Sequence, residues 1–506
     1  MTEQEKSKKR STLSLHNRKL KLGSVLLLAF FVAGAGFFYL GYVGGQAAWT
    51  PPKFSIDGST AVASFVIHAD TTVTPTMYYA VASNGTICFT STDCSTVTQD
   101  IVDSLPLNTG IIGGTTEGGT NSSSIWFGTG DYIFDSTVNI VNHKIAIYGN
   151  GWTETVLHMA PNANCGMWNI GGGTTQYGTE VQFYDLYMDG ASLQQTFLSS
   201  NCITINSNVK NFQMGSCYIN NWAGAPITYT SNQATQDCYI FECSFENSQY
   251  GLNLLPMYYL KFNNNYIFNC GNIAGSYSTY YNGMVVASSS AIIDSNSITA
   301  SGGYGLDIYS TPIISVTNNI IDANNAQNWG KCGMLIQGSS SYPTTSAIIE
   351  GNNFGAQTIK QAYDLYISDY VKNFLVEGNI FNDWSKAPIC FGDPAAFPSL
   401  SNGIIENNLG WTYTHIANPI YAANHVIESC GTTAATTWAS GVTYQNAYSP
   451  SSIFFTGTGI TITVTDSSGT QTLYSSVTSA NVQLAPSQQI TVTYVKLTSV
   501  NVYMNQ

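Results

Sequence analysis

A recurring segment between residues 212 and 410 organises the chain. Each copy alternates apolar and polar residues, reaches a single asparagine and then continues with further apolar residues, as in Ile293–Ile298, Val316–Ile321 and Val376–Phe381. The alternation before the asparagine has the period of a β-strand, and the asparagine marks a bend between two short strands. The spacing between copies varies while the motif persists, which predicts one repeated structural unit with loops of variable length.

The asparagines form a column in which two cysteines take their place in the earlier copies. The column contains Cys217, Cys243, Asn265, Asn296, Asn319, Asn352, Asn379 and Asn408. A third strand follows the loop of each copy, as in residues 305–308 and 333–336. Three short strands per coil, with coils stacked about 4.8 Å apart, form a parallel β-helix. Stacked asparagines can hydrogen-bond from coil to coil, and such ladders stabilise parallel stacks.

The N-terminal part separates into a basic tail and an apolar stretch. Residues 1–22 hold seven lysines and arginines, whereas residues 23–44 carry no charge. As a helix, the apolar stretch spans the hydrocarbon core of about 30 Å. Positive charge before it predicts a single-pass membrane protein with a cytoplasmic N-terminus and an extracellular bulk. The alternative is a signal peptide cleaved near Ala47 or Ala48, but the length of the stretch favours an uncleaved signal-anchor.

The remaining chain is predicted to be all-β and to divide into three parts. Residues 45–77 are a spacer with one strand, and residues 78–430 form the β-helix. A short amphipathic helix near residues 95–105 is the predicted cap, because the end of a solenoid otherwise exposes apolar core and unpaired backbone. Short alternating strands separated by turn residues predict a small C-terminal β-sandwich over residues 431–506.

Charge and cysteine content narrow the range of functions. The net charge is −13, which argues against nucleic acid as a partner. Eleven cysteines in an extracellular space can form disulfides. Cys88 and Cys94, in a turn-rich loop, are the predicted disulfide pair. Cys217 and Cys243, on adjacent coils, are either bonded or stacked as core thiols.

Three early segments carry a resemblance to a known superfamily. Gly128–Ile140, Ile145–Leu157 and Val181–Gly190 resemble the opening coils of the pectin-lyase-like superfamily, in the form found in pectate lyases and phage tailspikes. The resemblance covers about residues 78–425 and implies a right-handed parallel β-helix. The C-terminal segment resembles the accessory sandwiches that follow β-helices in tailspike-like proteins. One fold hosts many functions, so the resemblance is specific for the fold and not for an activity.

Acidic residues that face outward before the asparagines form a further column. Its acids are Asp294, Glu350, Glu377 and Glu406. Glutamates about 5 Å apart repel by about 3 kcal/mol at an effective dielectric constant near 20. If the glutamate side chains spread apart into water, this repulsion is relieved without a ligand. The alternatives are Ca²⁺, which prefers such oxygen ligands and is the candidate cofactor, and a catalytic carboxylate pair.

The outward positions of the third strands are the candidate carbohydrate-binding surface. The predicted contacts are Asn253, Tyr309, Gln337, Tyr366 and Tyr421. Tyrosine offers a flat apolar ring with a polar tip, which suits a sugar ring, although ordinary surface is the alternative in a tyrosine-rich chain. The resemblance to lyases implies acidic metal ligands and a basic residue on this surface. Asp307 is the acid there and the catalytic candidate, with Lys261 and Lys331 as the remaining bases.

Two functions of different classes follow from these observations. The first is a membrane-anchored extracytoplasmic protein that binds surface or extracellular polysaccharide. The second is a structural stalk, adhesin or virion-type spike, in which the β-helix is a rigid rod. Cleavage by a polysaccharide lyase or hydrolase is a further alternative. The expected partners are a glycan, the membrane through residues 23–44, and further copies of the chain if the rod oligomerises.

Overall fold

The structure is a computed structural model in which the following parts of the chain are described. They are residues 53–56, 59–108, 123–173, 178–192, 195, 200–230, 235–272, 278–355, 360–368, 370–382, 384–391, 403–410, 416–417, 425–427, 440–441, 443–445, 451–466, 469–484 and 488–504. The basic tail of residues 1–22 and the anchor predicted at 23–44 lie outside these ranges. Within them, no helix combines the length and the apolar character that crossing a membrane requires.

In the described ranges, the strands follow one another with one α-helix near the beginning of the β-helix. The first elements are β1 (Lys53–Ile56), β2 (Ser59–Val62), β3 (Phe65–Asp70), β4 (Met77–Ala82), β5 (Ile87–Ser91), α1 (Cys94–Ser104), β6 (Ser123–Phe127), β7 (Gly130–Phe134), β8 (Val138–Ile140), β9 (Lys144–Tyr148), β10 (Thr155–Met159), β11 (Trp168–Ile170), β12 (Thr179–Tyr184) and β13 (Tyr187–Asp189). The next are β14 (Ile203–Ile205), β15 (Val209–Gly215), β16 (Tyr218–Asn220), β17 (Ile227–Tyr229), β18 (Thr235–Phe241), β19 (Ser244–Glu246), β20 (Leu252–Asn263), β21 (Tyr266–Phe268), β22 (Met284–Asp294), β23 (Ser297–Thr299), β24 (Leu306–Tyr309), β25 (Ile313–Thr317), β26 (Ile320–Asp322) and β27 (Met334–Gln337). The last are β28 (Ser346–Glu350), β29 (Asn353–Phe354), β30 (Gln361–Ile367), β31 (Phe374–Glu377), β32 (Ile380–Phe381), β33 (Trp384–Phe391), β34 (Gly403–Glu406), β35 (Ile416–Ala417), β36 (His425–Ile427), β37 (Thr443–Gln445), β38 (Ser451–Asp466), β39 (Gly469–Leu484), β40 (Gln489–Thr493) and β41 (Lys496–Met504).

Strands β6 to β36 stack as three parallel faces, one for each strand of a coil. The first face holds the strands that precede the ladder residues, β6-β9-β12-β15-β18-β20-β22-β25-β28-β31-β34-β36. The second face holds the strands that follow them, β7-β10-β13-β16-β19-β21-β23-β26-β29-β32. The third face is β8-β11-β14-β17-β20-β22-β24-β27-β30-β33-β35. The long strands β20 and β22 bend and so belong to both the third and the first face. The all-β, mostly parallel fold predicted from the sequence is confirmed.

A ladder of buried asparagines forms the corner between the first and second faces. The Asn319 amide donates to the Asn352 Oδ1 atom at 2.9 Å and to the backbone carbonyl of Ile293 at 3.0 Å. Its own Oδ1 atom accepts from the backbone N–H and the side-chain amide of Asn296, both at 2.9 Å. The same pattern links the six asparagines of the ladder, which are Asn265, Asn296, Asn319, Asn352, Asn379 and Asn408. Each amide therefore satisfies backbone groups that the bend would otherwise leave unpaired inside the core.

The residue before each ladder asparagine has the left-handed backbone conformation that makes the bend. Its φ is 57° at Asn318, 65° at Gly351 and 63° at Gly378. Glycine and asparagine are the residues that adopt this conformation at the lowest cost. This explains the asparagine or glycine that precedes the ladder residue in these copies.

Cysteines occupy the ladder positions of two earlier coils as free thiols. Cys217 donates to the Gly215 carbonyl at 3.3 Å, and Cys243 donates to the Phe241 carbonyl at 3.2 Å. The side-chain amides of Asn319, Asn379 and Asn408, later in the same ladder, also donate to the backbone carbonyl two residues earlier. Cys217 and Cys243 are therefore stacked core thiols and not a disulfide. Among the described cysteines, none forms a disulfide.

The disulfide predicted between Cys88 and Cys94 is wrong, because the two side chains belong to different environments. Cys88 is exposed on β5, whereas Cys94 is the first residue of α1 and is fully buried against the end of the core. Asp93 caps the helix by accepting from the backbone N–H of Ser95 and Thr96. Helix α1 packs its buried face, with Val97 and Ile101, onto the continuous core of the β-helix.

The C-terminal residues form one antiparallel sheet with its own core. Strand β38 pairs with β39 on one side and with β40 and β41 on the other, and β37 pairs with β40. Phe455, Ile460, Ile462 and Val492 are fully buried in this core. A single five-stranded sheet is what the structure describes here, so the two-layered sandwich remains a prediction.

Candidate functional site

The outward positions of the third face lie in one register along the stack. The paired residues are Thr204, Thr228, Asn253, Val285, Asp307, Leu335, Tyr366 and Cys390. The next partner is Ala417, on β35. The placement of Tyr421 in this register was therefore wrong, because the third strand of that coil begins earlier than predicted. Tyr421 itself lies outside the described residues.

Asp307 is the acid among these paired outward positions. Its neighbours Leu306 and Ile308 point into the core, so its own side chain points away from the core, yet it is only 4 % exposed. The Asn282 amide donates to one carboxyl oxygen at 3.0 Å, and the Gln337 amide donates to the other at 3.3 Å. Burial raises the pKa of Asp307 to about 6, against the opposing effects of the Gln337 hydrogen bond and the Lys331 charge. The site therefore holds a carboxyl group that changes charge near neutral pH.

Aromatic side chains flank Asp307 on the turns that lead into the third strands. The Tyr250 ring lies 5.3 Å from Tyr280 and 5.8 Å from Tyr281, and the Tyr281 ring stacks on Trp329 at 5.6 Å with an interplanar angle of 27°. Tyr304 lies on the coil between those of Tyr281 and Trp329, and its backbone carbonyl accepts a hydrogen bond from the backbone N–H of Gly283. We refer to Tyr250, Tyr280, Tyr281, Tyr304 and Trp329 as the aromatic rim. Tyr280 is 54 % exposed, so the rim presents aromatic surface to solvent.

Glycines bring these turns together at the start of the third strands. A Cβ atom at Gly251 would collide with the Asn282 carbonyl oxygen, and one at Gly333 would collide with the Gln361 side chain. Gly305 meets the Asn324 amide in the same way. At Gly251 the obstacle is backbone, so only a residue without a side chain allows this close approach.

One lysine lies against a tyrosine of the rim, and a second lysine lies two coils further along the chain. The Lys331 ammonium lies 5.0 Å from the Tyr304 ring centroid, and the Lys386 ammonium lies 5.6 Å from the Tyr363 ring centroid. Both distances are in the range of cation–π attraction. Burial lowers the pKa of Lys331, and the negative charge of Asp307 opposes that effect. The surroundings of Asp307 thus combine aromatic, amide and cationic groups.

The other predicted contacts that the structure describes lie along the same face as Asp307. Tyr309 is 44 % exposed and is in register with Gln337 on the next coil. Tyr366 is half-buried beside Tyr363, with ring centroids 6.0 Å apart. Asn253 lies two coils before Asp307 in the same register, where its amide donates to the Thr228 hydroxyl at 3.4 Å. The structure thus places Tyr309 and Gln337 next to Asp307, whereas Asn253 and Tyr366 lie two coils away from it in opposite directions.

The acidic column lies on the first face, away from these residues. Glu350, Glu377 and Glu406 are in register on three successive coils, as the spacing predicts, and Thr317 links them to Asp294. Asp294 accepts from the Thr317 hydroxyl at 2.6 Å, and Glu377 accepts from the Asn407 amide at 3.2 Å. In the described ranges, no three His, Cys, Asp or Glu side chains are grouped so that they could hold a metal ion.

A separate aromatic cluster lies on the second face. The Tyr187 and Tyr218 rings stack at 4.8 Å, and Trp152, which is 46 % exposed, meets Tyr218 edge-on at 5.7 Å. Beside it, His158 lies 3.2 Å from an oxygen of Asp189 and 3.4 Å from an oxygen of Asp131. Hydrogen bonding to Asp189 raises the pKa of His158. This cluster is an ion-paired surface without a buried acid comparable to Asp307.

The sequence interpretation missed the aromatic rim. Its members lie at different distances before their strands: Tyr250 and Tyr304 come two residues before β20 and β24, Tyr281 three before β22, and Trp329 five before β27. The signal that could have found them is an aromatic residue followed within four positions by the glycine that starts a third strand. Lys331 was considered only as a possible base, and Lys386 was not considered for this surface.

Comparisons with known proteins agree with the architecture. Residues 199–369 match the family model of the right handed beta helix region, which confirms the handedness that the resemblance implied for this part of the chain. No curated protein sequence matches the chain significantly.

Several solved structures resemble the chain in fold. One is the A-module of the mannuronan C-5 epimerase AlgE6 of Azotobacter vinelandii, at 12 % identity and a TM-score of 0.30, covering 57 % of this chain and 90 % of that chain. Another is a mannuronic acid specific polysaccharide family 6 lyase from human gut microbiota, at 13 % identity and a TM-score of 0.38, covering 57 % and 70 %. A third is the tailspike protein gp49 of Acinetobacter baumannii bacteriophage Fri1, a capsular polysaccharide depolymerase, at 12 % identity and a TM-score of 0.32, covering 76 % and 79 %. These values assign no role to any residue, so the chain is described by its fold, a right-handed parallel β-helix.

Proposed function

We propose that this chain is an extracytoplasmic β-helix protein that binds polysaccharide along its third face. The observation that carries the proposal is the stacked aromatic rim beside the outward groups around Asp307. Tyr281 and Trp329 come from turns of different coils and still stack at 5.6 Å. A surface of this kind spans several coils and suits an extended polymer better than a small molecule.

The chemistry of the site matches that of a sugar chain. Aromatic faces bury the apolar C–H faces of sugar rings, and their polar tips hydrogen-bond to hydroxyl groups. The polar group next to the rim that a ligand can reach is the half-buried Gln337 amide, because Asn282 and Asp307 are buried. Tyr309, which is exposed beside it, extends the aromatic surface along β24.

The test is a carbohydrate array followed by affinity measurements on residues 45–506. We expect one group of related glycans to bind, and we expect the variant carrying both Tyr281→Ala and Trp329→Ala to lose most of that binding. The matched control carries Tyr187→Ala and Trp152→Ala, which remove aromatic surface from the second face. Binding that is equal in the wild type and the rim variant would refute the site. No binding to any glycan would favour the alternative, a structural stalk, adhesin or virion-type spike.

The finer parts of the proposal concern the two ends of the chain. Residues 1–22 and 23–44 are proposed as a cytoplasmic tail and a transmembrane anchor, on the charge and hydropathy of the sequence alone. Residues 431–506 are proposed as a C-terminal sandwich. External labelling of Lys386 in intact cells tests the topology, because an ectodomain lysine is reached without permeabilisation only if the bulk of the chain is outside.

A second candidate function is cleavage of the bound glycan, and Asp307 is the observation that favours it. A buried carboxyl group with a raised pKa has the character of a general acid. Release of reducing ends, or of an unsaturated product that absorbs ultraviolet light, by the wild type and not by Asp307→Asn would support cleavage. Binding without either product would leave the protein as a binding protein.

A further inference from the structure

A gap interrupts the column of aromatic side chains on the second face. Tyr187 and Tyr218 stack on adjacent coils with ring centroids 4.8 Å apart, and Tyr266 lies in the same register two coils after Tyr218. The residue between Tyr218 and Tyr266 is Ser244, which is small and buried. Because Tyr187 covers one face of the Tyr218 ring from the preceding coil, the other face is turned towards the coil of Ser244. The second face therefore has a slot with an aromatic ring on each side.

A carboxylate and a third ring border this slot. Glu246 lies on the same outward side of β19 as Ser244 and is in register with Phe268 on the next coil. The Ser244 hydroxyl donates to one carboxylate oxygen of Glu246 at 2.9 Å, and the Tyr218 hydroxyl donates to the other at 3.1 Å. The rings of Tyr266 and Phe268, both exposed, lie parallel within 6° with centroids 5.9 Å apart. We refer to Tyr218, Tyr266, Phe268 and Glu246 as the aromatic slot.

The charge of Glu246 has no cation to compensate it. In the described ranges, no lysine, arginine or histidine forms an ion pair with Glu246, whereas Asp189, in the same outward column, pairs with His158 at 3.2 Å. Burial and the negative charge of Glu246 raise the pKa of Tyr218, so its hydroxyl stays protonated and remains a hydrogen-bond donor. The hydroxyls of Ser244 and Tyr218 thus fix the position of the carboxylate without neutralising it. The slot offers three aromatic rings and one negative charge.

This combination suits a positively charged ligand. The strands that carry Tyr218 and Tyr266 are two coil spacings of about 4.8 Å apart, so a group held midway lies about 5 Å from each ring, within the range of roughly 6 Å over which aromatic faces attract cations. From this geometry we propose that the aromatic slot binds an organic ammonium ion, either a quaternary ammonium group or a protonated amine, with Glu246 as its counter-charge. The slot lies on the second face, so the inference goes beyond the proposed glycan site and does not rest on it.

The experiment compares a charged and an uncharged ligand of the same shape. Choline and its carbon isostere 3,3-dimethylbutan-1-ol are titrated into the purified full-length chain, with spermidine as a protonated amine, and binding is followed by ligand-observed NMR. We expect the preferred cation to bind at least about tenfold more tightly than the uncharged alcohol, and added salt to weaken its binding by screening.

The choice between the two cations identifies the ligand. Tighter binding of choline than of spermidine would indicate a quaternary ammonium group, and the reverse would indicate a protonated amine. The inference is overturned if neither cation binds, or if the uncharged alcohol binds as tightly as both of them.

Two variants locate the cation in the slot. Glu246→Gln keeps the shape of the side chain and removes its charge, so it should abolish most of the preference for the cation. Tyr266→Ala should weaken cation binding because it removes one wall of the slot. The matched controls, Glu350→Gln and Tyr259→Ala, change an exposed acid and an exposed tyrosine of the first face and should bind the cation as the wild type does. The urea midpoint of each variant separates a loss of binding from a loss of folding.

The slot and the rim are tested independently of each other. The variant carrying Tyr281→Ala and Trp329→Ala, which tests the glycan site, should keep its affinity for the ammonium ion. Loss of that affinity in the rim variant, or an undiminished preference for the cation in Glu246→Gln, would overturn the slot. Glycan binding would be unaffected by either result.

Discussion

Two of the three corners of a coil differ in the side chains that they carry. At the corner between the first and second faces, one residue type recurs and every amide repeats the same hydrogen bonds from Asn265 to Asn408. At the turns before the third strands, side chains change from coil to coil and include tyrosine, tryptophan and lysine. The first corner repeats one set of backbone hydrogen bonds, whereas the second combines buried amides such as Asn282 and Asn324 with aromatic side chains that differ between coils. The repeated corner is therefore expected to govern stability, and the variable corner carries the surface that we propose binds polysaccharide.

The largest expected effect comes from breaking the repeated corner. Asn319→Leu would leave the backbone N–H and the amide of Asn296 without their acceptor and the Ile293 carbonyl without its donor. Each buried group left unpaired costs about 1–3 kcal/mol, so we expect a large fall in the urea midpoint and the melting temperature. Asn353→Ala is the control, since its Oδ1 atom makes no hydrogen bond. Equal melting of the two variants would contradict the ladder.

The next largest effect is expected from a substitution in the aromatic rim, which should weaken glycan binding with little loss of stability. Trp329→Ala removes the ring that stacks on Tyr281 and should weaken glycan affinity by about tenfold. The coil-to-coil hydrogen bonds remain, so the urea midpoint should fall far less than in Asn319→Leu. Calorimetric titration and urea unfolding on the same samples measure both quantities. A variant that loses stability as strongly as the ladder variant would show that the rim is structural.

A smaller effect should arise at the His158 ion pairs. The pKa of His158 is raised, chiefly by its hydrogen bond to Asp189. A raised histidine pKa stabilises the folded state fully below the unfolded value of about 6.5 and loses that contribution as the pH rises through the folded value. The stability difference between the wild type and His158→Gln, measured by urea unfolding, should therefore shrink from pH 5.5 to pH 8.5. A difference that grows over this range would contradict the ion pairs.

The smallest expected effect is that of a reducing agent. Because the described cysteines are free, a reductant should leave the melting temperature unchanged. In the native protein, iodoacetamide should modify the exposed Cys88, whereas the buried Cys217 and Cys243 should react only after unfolding. Peptide mapping without reduction measures this. A linked peptide containing Cys217 and Cys243 would show that the two thiols are bonded.

The contrast between the corners also explains what the sequence could predict. The asparagine column and the strand alternation can be recognised in the sequence because every coil repeats the same bend and the same strand pairing. The rim was missed because Tyr250, Tyr281 and Trp329 come together through loops of unequal length, and no fixed offset marks them. Tyr421 was misplaced for the same reason, since the third strand of that coil begins at Ile416. Cys88 and Cys94 are close in sequence, but only the packing of α1 separates their environments.

The most direct test of the account is to locate a bound oligosaccharide on the β-helix. Hydrogen exchange measured by mass spectrometry, with and without a glycan identified on the array, reports which segments the ligand protects. We predict protection at residues 250–254, 279–285, 303–309 and 329–337, and no change at the ladder segments around Asn319 and Asn352. Protection confined to the second face around Trp152 and Tyr218, with none at the rim, would contradict the account.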